Sequence, residues 1–149
     1  MKTYRIAGTD LEVSRIALGC MHLSRIWDDA PTTAEEQRNT QALVETALAQ
    51  GINLFDHADI YARGKSEALF GGLLHRTPGL RDRIVLQSKC GIRFAGRPDP
   101  DSPGRYDFSR RHIVESVEGS LRRLHTARLH LLLVPRPAPL MGPAQVAAA

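Results

Sequence analysis

Residues 52–67 read INLFDHADIYARGKSE, a short apolar run that passes into acidic and polar residues. The continuous apolar start favours a strand covered on both faces, as strands of parallel sheets are. Asp56 ends this predicted strand, Tyr61 follows five positions later, and a helix is predicted over residues 66–74. A strand that leads directly into a helix is the repeating unit of parallel α/β folds. The segment therefore predicts one such unit, with polar side chains at the carboxyl end of its strand.

The chain before this segment has the pattern of a hairpin, a strand and a long helix. Two extended runs flank a turn at residues 8–10 and predict a β-hairpin that leads into a strand near residues 15–19. Thr33 and Glu36 have the spacing of a capping box, and Gly51 stands where a helix C-cap is needed. A helix is therefore predicted between Thr33 and Gly51.

The chain after this segment continues the alternation of strands and helices. A strand is predicted over residues 84–89, and residues 90–108 form a long loop rich in Gly, Pro and Asp. Either Ser109 or Asp107 can cap the helix that follows, whose apolar residues recur at helical spacing. A fourth strand is predicted over residues 129–134.

Strand–helix units that recur in this way indicate a parallel α/β fold, either an open doubly wound sheet or a closed (β/α)₈ barrel. No G-x-G-x-x-G follows the first strand, which weakens the doubly wound alternative. Asp56 and Lys89 fall at the carboxyl ends of strands, where barrel enzymes carry their chemistry. We therefore predict an N-terminal hairpin plus about four strands and three helices of a (β/α)₈ TIM barrel, forming one domain over all 149 residues. Residues 143–149 are predicted to begin a further helix.

The composition excludes several classes of function. With 42% hydrophobic and 24% charged residues, the chain resembles ordinary soluble globular proteins. No apolar run approaches the roughly 18–20 residues that a membrane span needs, and no signal peptide is evident, so a cytoplasmic location is expected. The net charge of +4 comes from scattered arginines without interleaved aromatic residues, which favours solvated helix surfaces over nucleic-acid binding. Cys20 and Cys90 form no metal-like pair and are expected to be small apolar residues near strand ends.

Four segments carry a family resemblance: FDHADIY (55–61), GKSE (64–67), QSKCG (87–91) and LLLVPRPAPL (131–140). Together they resemble the aldo-keto reductase superfamily, in particular a bacterial NADP-dependent oxidoreductase branch. The resemblance covers essentially the whole chain, in the family's order and spacing. It implies a barrel with an N-terminal hairpin at its bottom, and NADPH-dependent reduction of a small aldehyde or ketone.

The resemblance also implies roles for individual residues. Tyr61 corresponds to the proton donor to the substrate carbonyl, Lys89 to the cation that favours ionisation of that tyrosine, and Asp56 to the carboxylate that holds the lysine. A segment after the first strand corresponds to one whose backbone lies near the nicotinamide and the substrate: Gly19, Cys20 and Met21. The chemistry is reasonable, because a phenol with a pKa of about 10 is a weak acid at neutral pH and gains from a neighbouring ammonium. Alternatively, Tyr61 is an ordinary surface residue and Lys89 only a solvated strand end.

A metal site is not favoured. His57 and Asp59 are expected on the opposite strand face from Asp56, so these three residues do not converge on one ion. The other histidines of the second half of the chain are expected on helix or strand surfaces: His112, His125 and His130.

The sequence departs from the family pattern at four positions. Pro135 stands where the family has a histidine that orients the carbonyl, and proline offers no donor. Ala138 and His130 replace family aspartates, and Ala62 replaces a glycine. These changes predict impaired catalysis.

The length of the chain is the larger departure. A full barrel takes about 250 residues, so the chain is expected to be truncated to the N-terminal half of the family's fold. Weak binding of NADP(H) is expected, because the later segments hold most of its phosphates in the family. Three hypotheses follow: an impaired reductase, an inactive half-barrel that self-associates or binds a protein partner through open sheet edges, or a lyase with Lys89 as a Schiff-base nucleophile.

Overall fold

A computed structural model describes residues 1–136 and 142–149. In chain order, its strands are β1 (Thr3–Arg5), β2 (Glu12–Ser14), β3 (Ala17–Gly19), β4 (Leu54–Asp56), β5 (Val85–Lys89), β6 (Ile92–Arg93), β7 (Arg105–Tyr106) and β8 (Leu131–Leu133). Its helices are α1 (Ala34–Ala49), α2 (Lys65–Arg76), α3 (Arg110–Arg123) and α4 (Pro143–Ala147), with 3-10 segments at Tyr61–Gly64 and Leu80–Arg83.

Four of these strands form one parallel sheet in the order β3-β4-β5-β8. The helices α1, α2 and α3 lie in the connections between successive strands of this sheet. Because the strands are parallel and neighbours in sequence order, their carboxyl ends meet at one edge, as in a barrel. The predicted fold class, a partial (β/α)₈ barrel, is confirmed.

The predicted N-terminal hairpin forms from β1 and β2, which pair antiparallel with Tyr4 opposite Val13. Asn53 joins this hairpin to the central sheet. Its side-chain oxygen accepts a hydrogen bond from Ser14 N at 2.7 Å, and its side-chain nitrogen donates to the carbonyl oxygen of Glu12 at 2.9 Å. Since Asn53 precedes β4, the hairpin lies at the amino ends of the strands and leaves their carboxyl ends open.

The predicted helix signals act where they were expected. Thr33 Oγ1 accepts from Glu36 N at 3.1 Å, and the Glu36 carboxylate accepts from Thr33 N at 2.8 Å, which completes the capping box of α1. Gly51 follows this helix with a φ of +77°, a conformation that glycine adopts without strain. For α3, Ser109 is the N-cap, and Asp107 supports it by accepting from Ser109 N at 3.0 Å.

The segment predicted as a loop over residues 90–108 is more ordered than expected. It contains an antiparallel hairpin of β6 and β7, in which Ile92 pairs with Tyr106. An ion pair between Arg93 Nε and Asp107 Oδ2 at 2.6 Å fastens its base. Strands of two residues are too short to show a period of two in the sequence, so the pattern could not reveal them.

The two faces of the central sheet differ sharply. Helices cover one face, where Phe55 and Leu86 are fully buried and the rings of Phe55 and Phe70 pack with centroids 5.1 Å apart. Both cysteines are buried in or beside this core, as expected of small apolar residues. The other face carries polar residues of β4 and β5 that remain partly exposed. Among the described residues, no helix is long and apolar enough to span a bilayer.

Candidate active site

The carboxyl ends of β4 and β5 bring Asp56 and Lys89 together. Lys89 Nζ donates to Asp56 Oδ1 at 2.5 Å and to the backbone carbonyl of His57 at 2.8 Å. The side chains of Lys89 and Asp56 are 16% and 26% exposed, so the pair is shielded yet reachable. The same ammonium lies 5.0 Å from the centroid of the Tyr61 ring, within the range of a cation–π contact. The fold thus makes Lys89 a neighbour of Asp56 and Tyr61, although it lies 33 positions after Asp56, while the chemical roles of the three residues stay a prediction.

Gln87 joins this group and was missed by sequence reasoning. Its Nε2 donates to Asp56 Oδ1 at 2.6 Å, so one carboxylate oxygen receives both an amide and an ammonium. Gln87 precedes Lys89 by two positions on β5, and alternation along a strand puts both side chains on one face. This alternation, with Gln87 two positions before Lys89, was the signal in the sequence that could have predicted Gln87. The amide fixes the orientation of the carboxylate that holds the lysine.

The turn that carries Tyr61 has an unusual backbone. Ala62, Arg63 and Gly64 have φ values of +48°, +56° and +89°, three left-handed residues in succession. A residue with a Cβ in this region costs roughly 1–2 kcal/mol, which explains why a glycine suits position 62. Gly64 is needed for a second reason, because a Cβ there would lie 2.8 Å from Cδ of Arg123. The substitution Ala62 therefore keeps the turn but adds strain next to Tyr61.

The segment Gly19–Met21 borders the same group. Cys20 N donates to the carbonyl oxygen of Asp56 at 2.9 Å, and Met21 O accepts from Ser66 Oγ at 3.3 Å. A Cβ added at Gly19 would meet no atom within 4 Å, so open space lies over this backbone beside Asp56. The Cys20 thiol is not exposed to it, and burial raises its pKa.

A buried ion pair between α2 and α3 lies next to the end of β5, the strand that carries Lys89. Glu67 on α2 is fully buried, and Arg123 at the end of α3 donates to its Oε2 from Nε at 2.9 Å and from Nη2 at 2.7 Å. Ser88 Oγ donates to Glu67 Oε1 at 2.7 Å. Because Ser88 directly precedes Lys89, this network ties the end of β5 to both helices. Buried charges are tolerated when they are paired and hydrogen-bonded in this way.

His57 lies on the helix-covered face, as the strand pattern predicts. It is fully buried, and its ring packs edge-on against Phe70 with centroids 4.6 Å apart. Burial lowers the pKa of His57 to about 3, so its imidazole is neutral. Among residues 1–136 and 142–149, no cluster of three His, Cys, Asp or Glu side chains is placed to hold a metal ion.

The expectation that three histidines lie on surfaces is wrong for one of them. His125 is exposed, but His112 is only 8% exposed. His130 is half-buried, and its Nδ1 accepts a hydrogen bond from the backbone N–H of Leu86 at 2.9 Å. The imidazole nitrogen therefore accepts a hydrogen bond that an aspartate oxygen at this position could also accept. The replacement at position 130 is milder than its change of charge suggests.

Pro135 follows β8 at the carboxyl edge of the sheet, the edge that carries the candidate site. Leu133 pairs with Lys89 in the sheet, and Pro135 follows two residues later at the same carboxyl edge. Its ring supplies no hydrogen-bond donor to the site. Ala138, the other departure in this stretch, lies outside the described residues.

Comparisons with known proteins agree on one family. The sequence profile described as "Aldo/keto reductase family" matches residues 15–148. The chain is 47% identical over 139 residues to a 6-dehydroglucose reductase of Agrobacterium fabrum, which covers 92% of this chain and 45% of that protein. It is 40% identical over 144 residues to an uncharacterized oxidoreductase of Bacillus subtilis, which covers 94% of this chain and again 45% of the relative. The chain thus spans about half the length of the curated relatives it matches.

Solved structures give the same result for the fold. An aldo-keto reductase from Bacillus halodurans, in its holo form, superposes with a TM-score of 0.70 at 32% identity, over 90% of this chain and 40% of its own. A glycerol dehydrogenase from Gluconobacter oxydans superposes with a TM-score of 0.77 at 29% identity, over 97% of this chain and 42% of its own.

Proposed function

The chain belongs to the aldo/keto reductase family of oxidoreductases, and from that premise we propose that its site reduces the carbonyl of a small aldehyde or ketone with NADP(H). One observation carries the proposal. The Lys89 ammonium is bound to Asp56 and lies 5.0 Å from the Tyr61 ring, at the open carboxyl ends of two adjacent parallel strands. A cation beside a phenol is the arrangement that proton donation to a carbonyl oxygen needs.

Each residue has a distinct part in the proposed reaction. NADPH, when bound, supplies the hydride, and the open backbone at Gly19 is suited to its nicotinamide end. Negative charge develops on the carbonyl oxygen, and the Tyr61 hydroxyl donates a proton to it. The phenolate that remains is stabilised by the Lys89 ammonium. Asp56 and Gln87 hold that ammonium in position through their shared contact at Asp56 Oδ1.

We expect the proposed activity to be low because of two departures from the family pattern, at Pro135 and Ala62. A second donor to the carbonyl oxygen would polarise it further, and Pro135 has none to offer. Restoring a donor at this position is therefore expected to raise the rate. The left-handed turn at Ala62 adds strain where Tyr61 must be held accurately.

The test follows NADPH oxidation by loss of its absorbance with a panel of small aldehydes and ketones. Tyr61→Phe is expected to lower the rate by about 10²–10⁴-fold, the usual contribution of a general acid. Tyr106→Phe, at an exposed ring that stacks on Phe108, is the matched control and should leave the rate unchanged. Pro135→His should raise it. An equal effect of the two tyrosine changes, or no NADPH oxidation by either the wild type or Pro135→His, would contradict the proposal.

A second function is favoured by a specific feature of the sheet. Among the described residues, β3 and β8 each have one neighbouring strand, so both edges expose backbone groups that can pair with another chain. The alternative is an inactive partial barrel that self-associates or binds a protein through these edges. The lyase hypothesis has less support, because the Lys89 ammonium is already bound by a carboxylate and a carbonyl. A cytoplasmic location stays a prediction.

A further inference from the structure

A cleft of about 300 Å³ lies beside the candidate active site, between the turn after β4, the β6 hairpin and α3. Its lining includes four arginines and one histidine: Arg63, Arg93, Arg97, Arg123 and His112. We propose that this cleft binds the oxyanionic group of a small molecule, a phosphate or a carboxylate. The proposal does not depend on the reductase activity, because the cleft is defined by its own residues and can be tested by binding alone.

The convergence of arginines is the first observation. In the sequence they are scattered and were expected on solvated helix surfaces. The fold instead brings four of them to one concave site from three separate elements. A planar guanidinium offers five N–H donors in a geometry that matches phosphate and carboxylate oxygens. A cleft of about 300 Å³ that guanidinium groups line from several elements has the size and the N–H donors to hold one oxyanion.

The contacts of these arginines hold them in place but use only part of their donors. Arg63 donates from Nε to the carbonyl oxygen of Trp27 at 3.1 Å, and its guanidinium lies over the Phe94 ring at 5.1 Å. Arg93 uses Nε for its ion pair with Asp107. Arg63 and Arg93 thus use only Nε and keep their terminal N–H groups for a ligand, whereas Arg123 is bound to Glu67 through both Nε and Nη2. The guanidinium groups are thus pre-positioned, which lowers the entropic cost of binding.

Arg97 is the most open of the group. Its side chain is 63% exposed, and its nearest acid within the described residues is Asp29, with Nη2 and Oδ1 4.0 Å apart. That distance is too long for a hydrogen bond. Arg97 is therefore free to turn toward a bound anion at the mouth of the cleft.

His112 supplies a second and independent observation. It lines the cleft, it is only 8% exposed, and its Nε2 is buried with no hydrogen-bond partner among the described residues. An unsatisfied buried polar atom costs about 1–3 kcal/mol, so few are retained without a reason. An oxyanion in the cleft would accept a hydrogen bond from the Nε2–H tautomer and satisfy this atom.

The acids of the cleft do not cancel its positive charge. Glu115 lines the cleft, but its charge is offset by Arg111, whose Nε lies 2.7 Å from Glu115 Oε1. Burial raises the pKa of Asp59 to about 6. The negative charge that Asp59 carries above this pH weakens the binding of an anion in the cleft. Arg93 and Arg123 are already paired with Asp107 and Glu67. The positive charges of Arg63 and Arg97 therefore supply the net attraction for an anion.

The experiment measures binding by the whole chain, with inorganic phosphate and acetate as separate probes against sodium chloride of equal ionic strength. The expected result is a saturable rise in melting temperature, accompanied by a shift of the His112 imidazole ¹⁵N resonances. Arg97→Gln and Arg63→Gln should each weaken binding about tenfold, as expected for loss of one charge-assisted hydrogen bond. The exposed position of Arg97 makes unfolding of its variant a small risk.

Arg110→Gln is the matched control, because it removes the same charge from an exposed position on α3 outside the cleft. It should bind as the wild type does. Equal losses in Arg110→Gln and Arg97→Gln would reduce the effect to general electrostatics and overturn the proposal. Failure of both probes to saturate, or saturation with unmoved His112 resonances, would also overturn it. A response to phosphate but not acetate assigns the site to phosphate groups, and the reverse assigns it to carboxylates.

Discussion

His57 shows how a single residue can make the fold sensitive to acid. Its ring is fully buried against Phe70, and neither ring nitrogen has a hydrogen-bond partner among the described residues. Burial lowers its pKa from 6.5 to about 3. Above pH 6.5 the ring is neutral in both the folded and the unfolded chain. As the pH falls from 6.5 toward 3, the unfolded chain takes up a proton that the folded chain refuses, so stability is lost by up to about 1.4 kcal/mol per pH unit.

Replacement by an apolar residue should remove this loss. We expect His57→Leu to change the free energy of unfolding at pH 7 by less than about 1.5 kcal/mol, since the volumes are similar. Between pH 6 and 4 its stability should fall less steeply than that of the wild type, as measured by chemical denaturation at each pH. Asp59 acts in the opposite direction, because its pKa is raised to about 6 and its stabilising effect is lost as the pH rises through that value. This contribution is common to both proteins and cancels in their difference.

His22→Asn is the control at an exposed histidine. It should leave the pH profile of stability as in the wild type. If His57→Leu and the wild type lose stability in parallel below pH 6.5, then His57 is not the buried neutral base described here.

At the scale of elements, two adjacent glycines of α2 have opposite roles. A Cβ at Gly71 would lie 2.0 Å from the carbonyl oxygen of Arg123 and 2.7 Å from Cα of Leu124, so the backbones of α2 and α3 touch there. A Cβ at Gly72 would meet only the flexible end of Arg76, at 3.2 Å. Gly71 is therefore required by helix packing, whereas Gly72 is not.

We expect Gly71→Ala to lower the free energy of unfolding by about 3 kcal/mol, because the helices must separate. Gly72→Ala should raise it by up to about 1 kcal/mol, the gain in helix propensity of alanine over glycine. Denaturant titration of both variants beside the wild type measures the two effects. If both substitutions change the free energy of unfolding in the same direction, the close backbone contact of α2 and α3 at Gly71 does not explain the difference between the two glycines.

The elements also show what the sequence could and could not predict. Local signals were sufficient for the capping box at Thr33, for the turn at Gly51 and for the alternation that puts Asp56 at a strand end, because each depends on residues within a few positions. The two-residue strands β6 and β7 have no such signal. Long-range contacts were equally hidden. The hydrogen bond from Leu86 N to His130 joins residues that only the sheet brings together.

The residues of the candidate site likewise differ in whether the sequence could predict them. Asp56, Tyr61 and Lys89 were predicted as a group from a family resemblance, and their spacing alone would not have joined them. Gln87 was within reach of the strand period. The meeting of Arg63, Arg97 and other arginines beside the site depends on the packing of α3 against two loops, which no local pattern encodes.

At the scale of the molecule, the parallel sheet has two unpaired sides. β3 and β8 are its outer strands among the described residues, and Leu133 on β8 is 39% exposed. Unpaired strand edges with apolar side chains are templates for pairing with another chain. Two copies related by a twofold axis along the barrel axis would place β8 of each beside β3 of the other, with all strands parallel. Such a pair would close eight strands and bury Leu133 in its interior.

We therefore expect the 149-residue chain to self-associate, and Leu133→Lys to shift it toward the monomer, because a charge at a paired edge opposes association. The control is Leu43→Lys on α1, where the side chain is similarly exposed, at 42%, but belongs to a helix and not to an edge strand. Sedimentation velocity over a range of concentrations distinguishes the two. The Leu43 variant should associate like the wild type, since position 43 adds no charge to an edge strand. A wild-type chain that remains monomeric at every concentration would show that the edges are protected, and equal behaviour of the two variants would show that association uses another surface.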